Sequence, residues 1–145
     1  MERRRRTRPV HLPNVTRHNT PTILFVTVCA ANRAANAFAN GAMQRILREA
    51  WEQAGSHRVG AYVLMPDHLH LFCAPASPET ENVGKWVQYW KSLVTRKVRS
   101  RASGGDACGA GQASVCLPVF QRDCWDTQLR RGESYHDKWE YVRNN

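Results

Sequence analysis

His68-Leu69-His70 sets two imidazoles at alternate positions of an apolar run. Side chains alternate along a β-strand, so both rings leave one face while Leu69 and Leu71 leave the other. Neutral imidazole is a common nitrogen ligand for a divalent cation, and a rigid strand holds two such rings toward one point. Two exposed strand histidines with no ligand would show the same pattern. A second pair lies at the end of the sequence, where Tyr141 and Asn145 are four residues apart and share one helix face. A phenol and an amide oxygen are presented together there. The alternative is a helix tyrosine packed on the core beside Trp139.

The elements that must position these groups can be read in outline. Residues 1–20 are basic and without period, an expected extended arm, and residues 21–145 follow as one expected domain. Thr22 to Cys29 is a β-branched, aromatic-rich run of the kind that forms a buried strand. Met43, Ile46, Leu47, Ala50 and Trp51 recur at helical spacing, closed by Gly55-Ser56. Val59 to Met65 and His68 to Ala74 are expected strands of an antiparallel hairpin, turning at Met65-Pro66-Asp67. A second helix is expected over Val83–Val98, with Trp86 and Trp90 in its apolar stripe and Lys85, Arg96 and Arg99 opposite. Residues 100–116 have no apolar period and are expected to form a long flexible loop. Strand-like Leu117 to Phe120, a strand within Asp123 to Leu129, and a helix over Glu133–Asn145 complete the order. That order predicts an α+β fold: a ferredoxin-like, split β-α-β antiparallel sheet with helices on one face and an added C-terminal helix.

Charge points to a partner. In 145 residues there are 21 Lys+Arg against 12 Asp+Glu, a net +9 expected of a protein that meets polyanions, nucleic acid first among them. Arg3, Arg4, Arg5 and Arg6 concentrate charge on the arm, and residues 85–101 carry six basic side chains and no acid, among them Lys85, Lys91, Arg96 and Arg99. These eight are the expected DNA contacts, with a merely solvated basic surface as the alternative. The five cysteines are odd in number and form no C-x-x-C pair, so reduced thiols are expected rather than a disulfide framework or zinc knuckle. With no long apolar run and no signal-like segment at the start, a cytoplasmic, nucleoid-associated protein is expected. There is no P-loop motif.

Four ordered segments, Tyr62 to Phe72 (YVLMPDHLHLF), Trp86 to Lys91 (WVQYWK), Phe120 to Asp126 (FQRDCWD) and Tyr141 to Asn145 (YVRNN), resemble the single-tyrosine HUH transposases. The similarity is greatest to the REP-associated tyrosine transposase group, related to the IS200/IS605 transposases. The resemblance implies that His68 and His70 are metal ligands, that Asn145 completes the site, and that Tyr141 is the nucleophile, with Mg²⁺ or Mn²⁺ as cofactor. Trp125 and Asp126 match the family's W-D pair and are expected to shape the site or its DNA groove. The implied reaction cleaves and rejoins single-stranded DNA hairpins through a 5′-phosphotyrosine, with the protein a monomer or homodimer. It suits the residue types, since a phenol of ordinary pKa near 10 attacks phosphorus well only when its proton is removed or a cation stabilises the oxyanion. Tyr135, six residues before Tyr141, falls on another part of the helix, which disfavours a paired-tyrosine enzyme. A histidine-triad hydrolase would need a third alternate histidine where Phe72 stands. A catalytically silent hairpin binder would keep the same basic surfaces.

Overall fold

The computed structural model describes residues 11, 22–77, 79–80, 82–103, 118–129 and 135–144. The expected basic arm (except His11), residues 104–116 of the expected 100–116 loop, Leu117 and Asn145 lie outside these residues, while residues 100–103 of that loop are helical instead.

Strand β1, Leu24–Cys29, is the expected β-branched run: Leu24, Val26 and Val28 are fully buried on one face, while Phe25, Thr27 and Cys29 are half-buried on the other. Asn40 accepts a hydrogen bond from the Met43 amide (2.7 Å) and so starts α1, Gly41–Gln53. That helix buries Met43, Ile46, Leu47, Ala50 and Trp51. The hairpin runs from β2, His57–Leu64, to β3, His68–Pro75, beginning two residues before the expected Val59. Asn82 accepts from the Gly84 amide (2.7 Å) at the start of α2, Val83–Ser103, which continues past the expected end at Val98. Near Phe120 the expected strand reduces to a single bridge with Ala30. Strand β4 is only Trp125–Gln128, and α3 spans Tyr135–Asn144.

All pairings are antiparallel and the strand order is β2-β3-β1-β4, the ferredoxin-like split β-α-β arrangement. One face of the sheet (Leu24, Val26, Val28, Leu69, Leu71 and Cys73) joins α1 and α2 in the hydrophobic core. Trp51, Trp86 and Trp90 pack edge to face inside it, with ring centroids 6.0 Å apart for both Trp51–Trp90 and Trp86–Trp90. The third helix lies on the other face. Phe72 points outward and packs against Tyr135 and Trp139 at 4.7 and 6.1 Å, and Lys138 Nζ stands 5.8 Å above the Phe25 ring. Among the described residues helices therefore cover both faces, α3 on the outer one, because Phe25 and Phe72 give that face an apolar patch of its own. Cys29, Cys73 and Cys124 are free thiols. Among the described residues no helix is long and apolar enough to cross a membrane.

Candidate active site

Strand β3 puts His68 and His70 on the outer face, opposite in direction to Leu69 and Leu71, which are fully buried. The two rings meet nearly at right angles, centroids 4.8 Å apart. Each is held through Nδ1. His68 Nδ1 is 2.7 Å from Asp67 Oδ1, and the other oxygen of that carboxylate accepts from Arg33 Nε at 2.8 Å. His70 Nδ1 is 2.9 Å from Thr27 Oγ1 on the neighbouring strand, and Phe25 stacks on the same ring at 5.3 Å. With the ring protons on Nδ1, both Nε2 nitrogens are left with no hydrogen-bond partner among the described residues. Fixing the tautomer through an outer carboxylate or hydroxyl is what metal-ligating imidazoles need, so the donor set fits a divalent cation. Burial, with the charge of His68, holds the His70 pKa below 6.5 and favours the neutral ligand form. The His68 hydrogen bond and the Arg33 guanidinium keep Asp67 ionised, against the opposing effect of burial.

Helix α3 crosses the same face. Tyr135, Lys138, Trp139 and Val142 turn toward the sheet, and Val142 is buried. Tyr141 follows Lys138 by three residues and lies on the flank of the helix, with 66% of its surface exposed, so it is not a core tyrosine beside Trp139. Tyr135 instead spends its ring on Phe72. No described residue is hydrogen-bonded to the Tyr141 hydroxyl. Asn145, the expected third ligand, lies outside the described residues.

The W-D pair splits across the sheet. Trp125 is opposite Thr27 and shares the histidine face, whereas Asp126 is opposite Val26 and points to the helix side. There Asp126 is bound to His11 Nδ1, while His11 Nε2 is 2.8 Å from Asp123 Oδ1. Burial disfavours the imidazolium, but these two carboxylates outweigh it and raise the His11 pKa above 6.5. The His11 carbonyl also accepts from Asn82 Nδ2 at 3.1 Å, which ties this residue to the start of α2. Cys124 Sγ lies nearby, within 4.8 Å of the ligand-type atoms of His11 and Asp126. Burial pushes that thiol up to about 12, and both His11 nitrogens are taken by carboxylates, so the group is built as a charged clasp. His11 has no local motif and its carboxylate partners are over a hundred residues away; the one sequence signal is the acid pair Asp123 and Asp126. His57 is buried as well: it is 2% exposed against Trp86, and burial lowers its pKa to about 4.

Of the expected DNA contacts, Lys85, Arg96 and Arg99 are exposed along α2. Lys91 is not available to a phosphate. It is 6% exposed, and its Nζ donates to the carbonyls of Gln121 and Asp123, both at 2.9 Å, because position 91 falls on the buried stripe of α2 and its stem must end on acceptors inside. Arg3, Arg4, Arg5 and Arg6 lie outside the described residues.

A REP-associated tyrosine transposase solved bound to a REP hairpin superposes on this chain with a TM-score of 0.56, covering 90% of this chain and 68% of that one at 16% sequence identity. The two share one fold. A Deinococcus radiodurans protein designated a transposase gives a TM-score of 0.55 at 14% identity, covering 92% of this chain and 97% of that one. No protein-family profile matches the sequence, and no curated protein matches it significantly. The fold is thus shared at identities so low that architecture, rather than overall sequence, carries the likeness.

Proposed function

We propose that the protein is a metal-dependent, single-stranded DNA endonuclease and transposase that cleaves and rejoins hairpin DNA through Tyr141. The observation that supports this most is the pair of imidazoles, each braced at Nδ1, on the sheet face that the tyrosine-bearing helix crosses. His68 and His70 would hold Mg²⁺ or Mn²⁺ through Nε2, with Asn145 as a third donor. When bound, the ion supplies positive charge beside the scissile phosphate and favours the phenolate. Tyr141 Oη attacks phosphorus and gives up its proton to solvent; the P–O3′ bond breaks, and the departing 3′ oxygen takes up a proton. The products are a 5′-phosphotyrosine and a free 3′-OH. Reversal by another 3′-OH rejoins a strand without an external energy source. Arg33 and Asp67 orient His68, and Thr27 and Phe25 orient His70. The exposed Lys85, Arg96 and Arg99, with Arg3 to Arg6, would grip the backbone. The structural relative's REP hairpin supplies the substrate class for this proposal.

The test is incubation of end-labelled hairpin DNA with the protein and Mn²⁺, followed by a denaturing gel. The expected result is label migrating with protein, lost in Tyr141→Phe and retained in Tyr135→Phe. Hairpin binding without any adduct would leave a silent binder.

A further inference from the structure

Among the described residues Trp125 is the most exposed tryptophan, with 55% of its surface open. Trp51, Trp86 and Trp90 are buried in the core and Trp139 is half-buried against Phe72. Burying an indole is among the largest apolar gains available to a fold, and on β4 that gain is left untaken. Its position is specific. Thr27 pairs with His70 on one side and with Trp125 on the other, so His70, Thr27 and Trp125 form one row across β3, β1 and β4, all facing outward. Adjacent strands are roughly 4.8 Å apart, which starts the indole about 10 Å from the backbone of His70. Thr127, the other outward residue of β4, is also exposed, so this strip of the sheet is open where the neighbouring strip is covered at Phe25 and Phe72. From behind, Asp126 is locked to His11, and Lys91 holds the Asp123 carbonyl just before the strand. The platform is therefore open in front and braced behind.

We propose that Trp125 is a stacking platform for one base of the DNA single strand, the base of the nucleotide adjoining the phosphate held at His68 and His70. This rests on the function proposed above. Every base offers a π-face, so such a contact adds affinity and fixes the strand relative to the histidines without reading sequence. It also explains why Trp125 and Asp126 act on opposite faces: one meets DNA, while the other anchors the strand that carries it.

The experiment uses the full chain in the Tyr141→Phe background, with Mn²⁺, and a hairpin oligonucleotide carrying a single-stranded flank, so that affinity is read without cleavage. Trp125→Ala should weaken binding about tenfold and Trp125→Phe far less, since a smaller ring still stacks. Replacing the flanking bases one at a time with abasic sites should find one position costing about tenfold in the Trp125 protein and nothing further in Trp125→Ala. Unchanged affinity of Trp125→Ala, or losses that simply add at every position, would overturn the proposal. So would light scattering showing that Trp125→Ala dissociates a dimer, since the indole would then be covered by a second copy. Adduct formation with Mn²⁺ in the Tyr141 protein is read separately: its absence would remove the cleavage reaction while leaving the stacking result to stand or fall alone.

Discussion

Lys91→Met separates a cation that holds the fold from one that holds DNA. The methionine keeps the length of the stem and its place on the buried stripe of α2, and removes only the ammonium. Two charged hydrogen bonds go, those to Gln121 and Asp123 at 2.9 Å each. Each carbonyl that loses its donor costs about 1–3 kcal/mol, and relief from burying the ammonium returns part of this, so a net loss of about 2–4 kcal/mol is expected. That is a large share of the roughly 5–15 kcal/mol that holds a domain together, yet it should leave the variant folded in buffer. Urea unfolding followed by tryptophan fluorescence should show the midpoint falling by about 1–2 M if m is near 2 kcal/mol/M. In the same protein, the slope of log affinity for hairpin DNA against log salt should match the parent, because every phosphate-binding cation is still in place. Stability unchanged within about 0.5 kcal/mol, together with a shallower salt slope, would refute the reasoning and return Lys91 to the DNA surface.

The salt slope should instead flatten in Lys85→Ala with Arg96→Ala, by about 0.7–0.9 for each phosphate no longer neutralised, measured by fluorescence anisotropy across a salt series. Asp67→Asn keeps an acceptor for His68 but loses the charge and weakens the pairing with Arg33, so calorimetry should show Mn²⁺ affinity down by about tenfold, with His68→Ala and His70→Ala abolishing binding. For His11→Gln the sign follows from a raised native pKa. The stabilisation from the charged clasp is fully present below the unfolded value of 6.5 and is lost as pH rises through the native value. The parent's advantage in urea midpoint should therefore be larger near pH 6 than near pH 9; a gap that widens with pH would contradict the clasp.

The sheet could be read from the chain because its signals are local. β1 is a β-branched, aromatic-rich run, His68 to Leu71 alternates, α1 and α2 carry apolar stripes, and the turn at Pro66-Asp67 announces the hairpin. His68 and His70 were legible for the same reason, since a period of two decides their face. What was not legible depends on partners distant in the chain. Lys91 looks like any other lysine of a basic helix until the Gln121 and Asp123 carbonyls arrive over it. His11 has no pattern around it, and Thr27 becomes a support for His70 only through strand pairing. The W-D pair reads as one unit in sequence, but adjacent residues of a strand must part to opposite faces.

The alternation along β3 also acts as a proofreading device for the site. Sliding β3 by one residue against β1 would turn Leu69 and Leu71 into water and His68 and His70 into the core. Each buried leucine contributes about 1.5–3 kcal/mol, so the pair alone disfavours the slipped register by about 3–6 kcal/mol. At 1.4 kcal/mol per factor of ten, fewer than about one molecule in a hundred would carry the error. Two residues that never meet a substrate thus set how many molecules in a population present both imidazoles outward, and a Leu69→Thr, Leu71→Thr protein should lose fractional Mn²⁺ occupancy at the proposed site before it loses its secondary structure.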